Sequence, residues 1–299
     1  MTDKSKNAVL LLAHGSPESV EDVPEFLLRV TGGRGLPPHV VEEIKYRYGL
    51  IGRSPLTAIT QKQADLLAAE LQLPVFMGMR NWKPFIADAV PAMISKEVQR
   101  AVVICLAPQN SRTSVGLYRS AVMKEQPPFA VEFVESWHDQ PDLIKAFVQK
   151  LRVARQRPEM QQASVIFTAH SVPVRTLEQG DPYDQQAKET ARLVADAEGL
   201  RPDQWQFAFQ SQGASGGPWA GPTVEEAILQ AKQSGARAVL LQPVGFLADH
   251  VEVLYDIDIV FKQFADKEGL QLQRTESLND SSLLIAALTD IVKSRLAPA

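Results

Sequence analysis

Ala8-Val9-Leu10-Leu11-Leu12-Ala13-His14-Gly15-Ser16-Pro17 runs an apolar strand straight into a histidine-bearing turn, and Val165-Ile166-Phe167-Thr168-Ala169-His170-Ser171-Val172-Pro173 does so again in the second half. Short apolar runs bounded by turn residues read as buried strands. In an open parallel α/β sheet the carboxyl ends of the strands face the ligand crevice, so a residue just past such a strand points into the site. The chain has only five histidines. A single histidine at such a place more often caps a strand through backbone hydrogen bonds. The recurrence of Ala-His-(Gly/Ser)-x-Pro instead favours a shared task toward a metal or a proton-bearing ligand.

A second pairing supports an internal duplication. Pro84-Phe85-Ile86-Ala87-Asp88-Ala89-Val90 precedes Arg100-Ala101-Val102-Val103-Ile104-Cys105-Leu106-Ala107-Pro108, and Pro222-Thr223-Val224-Glu225-Glu226-Ala227-Ile228 precedes Arg237-Ala238-Val239-Leu240-Leu241-Gln242-Pro243. Each reads as an amphipathic helix feeding a buried strand that ends at a proline. The fold class expected is α/β, in two similar halves. At 299 residues the chain exceeds the roughly 250 residues at which single cores stop growing. The halves are placed at 1–155 and 156–299, with polar Arg155-Gln156-Arg157-Pro158-Glu159 as the crossing.

Composition narrows the function classes. The apolar runs are strand-sized, far short of the roughly 20 residues of a spanning helix, and Met1-Thr2-Asp3-Lys4-Ser5-Lys6-Asn7 lacks the apolar core of a secretory signal. A cytoplasmic protein with no transmembrane segment is expected. A net charge of −4 and the lack of a basic block argue against nucleic acid as a partner. Lone Cys105 excludes a disulfide, a zinc knuckle or a four-cysteine iron–sulfur cluster built within the chain.

Between the markers, a helix or helical turn is expected over 16–30, helices over 40–48 and 56–71, and a strand over 74–78. Thr31-Gly32-Gly33-Arg34-Gly35 lacks GxGxxG spacing and a preceding strand, which rules out a dinucleotide loop. The richest segment is Pro243-Val244-Gly245-Phe246-Leu247-Ala248-Asp249-His250-Val251-Glu252-Val253-Leu254-Tyr255-Asp256. At about 100° per residue Asp249, Glu252 and Asp256 share one helical face. The helix dipole accounts for acids in a first turn but not for Asp256. A cation or a proton-accepting task accounts for all three.

The ordered series Ala169-His170-Ser171-Val172-Pro173, Gly180-Asp181-Pro182-Tyr183-Asp184-Gln185-Gln186, Phe209-Gln210-Ser211 with Pro218-Trp219, and Gly245 through Asp256 resembles the ferrochelatases. Gly78-Met79-Arg80-Asn81-Trp82-Lys83-Pro84-Phe85-Ile86 and Gly52-Arg53-Ser54-Pro55-Leu56-Thr57 extend the resemblance over essentially the whole chain. Arg47-Tyr48, Ala107-Pro108 leading to Ser114-Val115-Gly116-Leu117-Tyr118, and Glu135-Ser136-Trp137 are similar to the branch acting on coproporphyrin. The resemblance implies two Rossmann-like, chelatase-type halves around a central cleft. It implies insertion of Fe2+, a substrate, into coproporphyrin III to give iron coproporphyrin III in haem biosynthesis, with no iron–sulfur cluster. The alternatives are a protoporphyrin IX ferrochelatase, another tetrapyrrole metal chelatase, or a tetrapyrrole carrier without turnover. The porphyrin is the expected partner, and transient contact with neighbouring haem-pathway enzymes is a further expectation.

Metal insertion needs a base beside the macrocycle, because two pyrrole N–H protons must leave. By the resemblance His170 and Glu252 are the catalytic residues and the metal ligands, and Asp256 passes ions or protons onward; imidazole suits Fe(II). The next acidic position of the family is Val260 here, which shortens any relay. Arg47, Tyr48, Ser54 and Tyr118 are the expected propionate-binding residues, although Arg47 is also spaced to pair with Glu43. His14 stands where the coproporphyrin branch carries a tyrosine that ligates product iron and is counted with the substrate-binding residues, since an imidazole can still coordinate haem iron; Thr31 stands where the branch carries a basic residue, with Arg29 or Arg34 as substitutes.

Overall fold

Strand β1 (Asn7–Ala13) lies inside the first sheet because Ala8 through Leu12 have no polar side chain to turn toward water, and all five are fully buried. It pairs in parallel with β2 (Val75–Met79) on one side and β3 (Arg100–Cys105) on the other, and β3 pairs with β4 (Ala130–Val134). The second sheet repeats this plan with β5 (Ser164–His170) between β6 (Trp205–Gln210) and β7 (Ala238–Pro243), and β8 (Gln271–Arg274) beyond β7. The strand orders β2-β1-β3-β4 and β6-β5-β7-β8 are the same order twice. The computed structural model describes residues 6–213 and 217–297; residues 1–5, which carry most of the N-terminal segment read above for a signal, lie outside them.

Parallel pairing demands a crossover between strands, and helices supply it. The first half carries α1 (Val23–Val30), α2 (Pro38–Ile51), α3 (Leu56–Leu71), α4 (Ile86–Ser95), α5 (Val115–Lys124) and α6 (Pro141–Arg155). The second carries α7 (Val174–Glu178), α8 (Tyr183–Glu198), α9 (Val224–Gln233), α10 (Val251–Leu254), α11 (Lys262–Lys267) and α12 (Ser282–Leu296). The helix expected over 56–71 is α3 residue for residue, and in the 16–30 span residues 23–30 are helical, after a turn that leads into α1. The duplication extends to the helix entries: the Pro84 carbonyl accepts from the Met79 N–H and the Pro222 carbonyl from the Phe209 N–H, both at 2.7 Å. Thr223 caps α9 by accepting from the Glu226 N–H, while the Glu226 carboxylate accepts from the Thr223 N–H.

Alternate residues of each buried strand face different layers. Val9 and Leu11 share one core with Leu143, Phe147, Phe167 and Leu288, so that core runs through both halves. Leu10 and Leu12 pack with Val90, Met93 and Val122 from α4 and α5, and Ile166 and Leu241 with Ile228 of α9. Helix α6 packs on α8 and α12, and α12 also packs on α3. Polar ties join the halves as well. Gln109, after β3, donates to Thr190 Oγ1 and to the Val244 carbonyl at 3.1 Å each. Buried Asp181 accepts from Ser111 Oγ, the Arg112 N–H and the Tyr183 N–H at 2.8–3.1 Å. Among the described residues no helix is long and apolar enough to cross a membrane.

Candidate active site

The order 2-1-3-4 reverses direction between the first and third strands of each half, and their carboxyl ends are where such sheets hold ligands. His170 closes β5 at this point. Its neighbour Gly245, just past β7, comes so close to β5 that a Cβ there would lie 2.6 Å from Ala169 Cβ. The Gly245 N–H donates to the Thr168 carbonyl, which binds this turn to the strand end. The turn leads through Asp249 and His250 into α10, and Glu252 in its first turn comes within 3.5 Å of His170 Nε2 and 3.6 Å of His250 Nε2. Both imidazoles present Nε2 because Nδ1 is used elsewhere: on the Ser171 carbonyl for His170 and on the Ala248 carbonyl for His250.

This geometry decides the charges. Burial alone would discourage a proton on His170, but the Glu252 carboxylate outweighs it and raises the imidazole to about 9. Burial would likewise raise Glu252, yet His170 and then His250 hold it well below the ordinary carboxylate range. At neutral pH His170 is therefore protonated against an ionised Glu252. Their side chains remain 35% and 33% exposed, so the pair opens toward solvent and an incoming ligand. Phe246 and Trp219 flank the His170 ring at 6.4 and 6.5 Å between centroids.

The acidic row departs from the helical expectation. Helix α10 is only four residues long, and from Asp256 to Phe261 the backbone is a π-helix. Asp249 precedes the helix and is committed elsewhere, accepting from Ser277 Oγ at 2.7 Å and Asn279 Nδ2 at 2.9 Å, with Arg274 at 3.2 Å. It joins the strand end to the loop after β8 and does not extend the acidic face. Asp256 is buried and accepts from Ser211 Oγ. Burial, resisted by the Ser211 bond and aided by the Glu252 charge, raises its carboxyl to about 6. Behind it Thr168 Oγ1 donates to Gln210 Oε1 at 2.7 Å, and Gln210 Nε2 donates to the Glu252 carbonyl at 2.9 Å.

From the first half, His14 follows β1, an exposed residue whose ring nitrogens both make hydrogen bonds within the protein. Desolvation of the ring and then the Arg80 charge push it down to about 4, so it is neutral, while from the other half the Glu252 charge acts upward and the His250 charge downward. Arg47 pairs with Glu43 as its spacing allowed, and its guanidinium lies 5.2 Å from the Tyr255 ring centroid. Tyr48 is buried with its hydroxyl 2.9 Å from Ser16 Oγ. Tyr118 is buried beneath Arg80, whose guanidinium lies 5.6 Å from its ring centroid. Ser54 is buried, and its Oγ, Arg47 Nε and Arg80 Nε have no hydrogen-bond partner in the protein. Arg29 and Arg34 are spent locally, on Glu25 and on the Thr31 carbonyl.

A sequence model of the family described as ferrochelatase matches residues 6–296. The chain belongs to the ferrochelatase family. A ferrochelatase of Acidobacterium capsulatum is 50% identical over 98% of this chain and 95% of its own length. A coproporphyrin III ferrochelatase of a Geobacillus species is 34% identical over 98% of this chain and 99% of its own length. Among solved structures, the sirohydrochlorin chelatase SirB of Bacillus subtilis in complex with cobalt superposes with a TM-score of 0.59 at 11% identity, over 97% of this chain and 95% of that one. That likeness shows the two-domain, Rossmann-like chelatase fold. As a ferrochelatase the protein is an enzyme that inserts a metal into a porphyrin, and the family takes Fe2+ as substrate.

Among the described residues no three His, Cys, Asp or Glu side chains are grouped to hold a metal. A ferrochelatase needs no closed protein site, since the macrocycle itself supplies four nitrogens. His250, Arg80 and Asn81 belong to the site but were not singled out from sequence. The signals were present in His-Val-Glu spacing and in the turn after β2, yet neither has a periodicity that separates it from an ordinary loop.

Proposed function

We propose that the protein inserts Fe2+ into coproporphyrin III, with His170 and Glu252 at the metal and Arg47, Tyr48, Ser54, Tyr118 and Arg80 on the side that holds the propionates. The observation that carries the reading is that three of the six buried side-chain polar atoms without partners among the described residues are Arg47 Nε, Ser54 Oγ and Arg80 Nε, on residues of the first half. Buried donors are normally paired, and a carboxylate is the ligand that would satisfy guanidinium nitrogens with charge-assisted bonds. Coproporphyrin III offers four propionates to such a wall and protoporphyrin IX two. The relatives named coproporphyrin III ferrochelatases support the same choice.

The chemistry follows from the proton positions. Two protons leave the pyrrole nitrogens as iron enters. Glu252, ionised between two imidazoles, accepts from the macrocycle, and Asp256 one turn behind it takes protons onward. His170 releases its own proton to solvent, toward which the pair opens, before Nε2 can bind iron. The discriminating experiment is an anaerobic assay with Fe(II) and each porphyrin. At least about tenfold higher kcat/KM with coproporphyrin III is expected, since charged hydrogen bonds each net about 1.5–3 kcal/mol. Equal or better turnover of protoporphyrin IX would move the enzyme to that branch.

A further inference from the structure

Both nitrogens of the His14 ring are occupied within the protein. Nδ1 lies 3.0 Å from the Gly15 carbonyl oxygen, and Nε2 lies 3.0 Å from the Asn81 side-chain nitrogen. A carbonyl oxygen only accepts, so Nδ1 carries the proton. In the neutral ring Nε2 then holds the lone pair, and the Asn81 amide donates to it. The reverse amide orientation would need a doubly protonated ring, which the neighbouring Arg80 charge opposes.

The contact is built in. Asn81 is buried, and its backbone N–H donates to the His14 carbonyl at 3.0 Å. The next residue, Trp82, fits so closely under the turn that a Cβ on Gly15 would lie 2.7 Å from the Trp82 nitrogen. Phe26 meets the edge of the His14 ring at 5.9 Å between centroids. These contacts hold the turn that carries His14 against the segment that carries Asn81.

One lone pair serves one partner at a time. We propose that Asn81 is a positioning residue that makes His14 a weak axial ligand, because product iron gains the Nε2 lone pair only by breaking the Asn81 hydrogen bond. The inference rests on iron coproporphyrin being the product. Metal-free porphyrin does not compete for the lone pair, so the contact acts only once iron is in the ring. It keeps the imidazole in one tautomer and orientation while favouring product release.

The test is equilibrium titration of the full-length protein with iron(III) coproporphyrin III and, separately, with metal-free coproporphyrin III, read by the Soret band and tryptophan quenching. Asn81→Ala and the nearly isosteric Asn81→Leu both delete the donor, so one reading survives if the other variant fails to fold. Either should bind iron coproporphyrin about three- to tenfold more tightly than wild type, the range set by one neutral hydrogen bond. The histidine-ligated spectrum should strengthen, with no matching gain for the metal-free porphyrin and no effect of Asn81 substitution in a His14→Ala background. Unchanged or weaker iron coproporphyrin binding, an equal gain for the metal-free ring, or a gain that persists without His14 overturns the proposal. Iron insertion by wild type is scored in parallel. Insertion without an Asn81 effect defeats this inference alone, whereas absence of insertion defeats the reading beneath it.

Discussion

At the residue scale, Glu252 between His170 and His250 is the centre of the molecule. Replacing His170 by Ala or Glu252 by Gln should each lower iron insertion at least about a hundredfold, the usual cost of losing a positioned acid or base. Porphyrin binding, followed by fluorescence quenching, should persist in both. Near-normal turnover in either variant would remove that residue from the chemistry. The pair also predicts a pH dependence of stability. His170 is raised from 6.5 to about 9, so its contribution is full below about 6.5 and lost as pH climbs through about 9. Glu252 is depressed from 4.5, so its contribution is present above about 4.5 and lost in acid. The difference in melting temperature between wild type and Glu252→Gln should therefore be greatest between these two ordinary values and shrink toward pH 9. A difference that is flat with pH would show that the two groups are not coupled.

At the element scale, the decisive contact is the approach of the Gly245 turn to β5. A methyl group at 245 would meet Ala169 Cβ at 2.6 Å and Cα at 2.8 Å, both on the buried strand β5. Gly245→Ala should thus destabilise by about 1–3 kcal/mol, the usual range for overpacking, and displace His170 from Glu252. Denaturant unfolding checks the first effect and kcat the second; a fully stable, fully active variant would show that the turn yields freely. The same element shows what the sequence could and could not reveal. Buried strands, the duplicated helix entries and the whole of α3 were legible because apolar pattern and turn residues announce them. The π-helix was not, since reading at a fixed 100° per residue assumes the α-helical winding that Asp256–Phe261 lacks. Asp249 was misplaced on the acidic face because it precedes the helix, and because its partners Arg274, Ser277 and Asn279 come from a distant part of the chain. The His14 and Asn81 contact is likewise invisible to local pattern: 67 positions separate the two residues.

At the scale of the whole molecule, the two sheets repeat one plan but their helices do not stay at home. The last helix of the first half, α6, lies against α8 and α12, while α12, the last of the second, reaches back to α3. Each half therefore owns a surface that only the other can cover. Severed at 155, the pieces 1–155 and 156–299 would each present α6 or α12 with its apolar stripe in water, and large exposed patches of that kind promote aggregation. Expressed alone, each piece should be insoluble or molten, lacking sharp amide dispersion in NMR. Expressed together they should reassemble into a non-covalent, active pair, because the break falls between elements and cuts no strand pairing. A piece that gave a native-like spectrum by itself would contradict this. The repeated sheets look like two separable units, whereas the exchanged helices should make the molecule one cooperative unit that can be nicked but not divided.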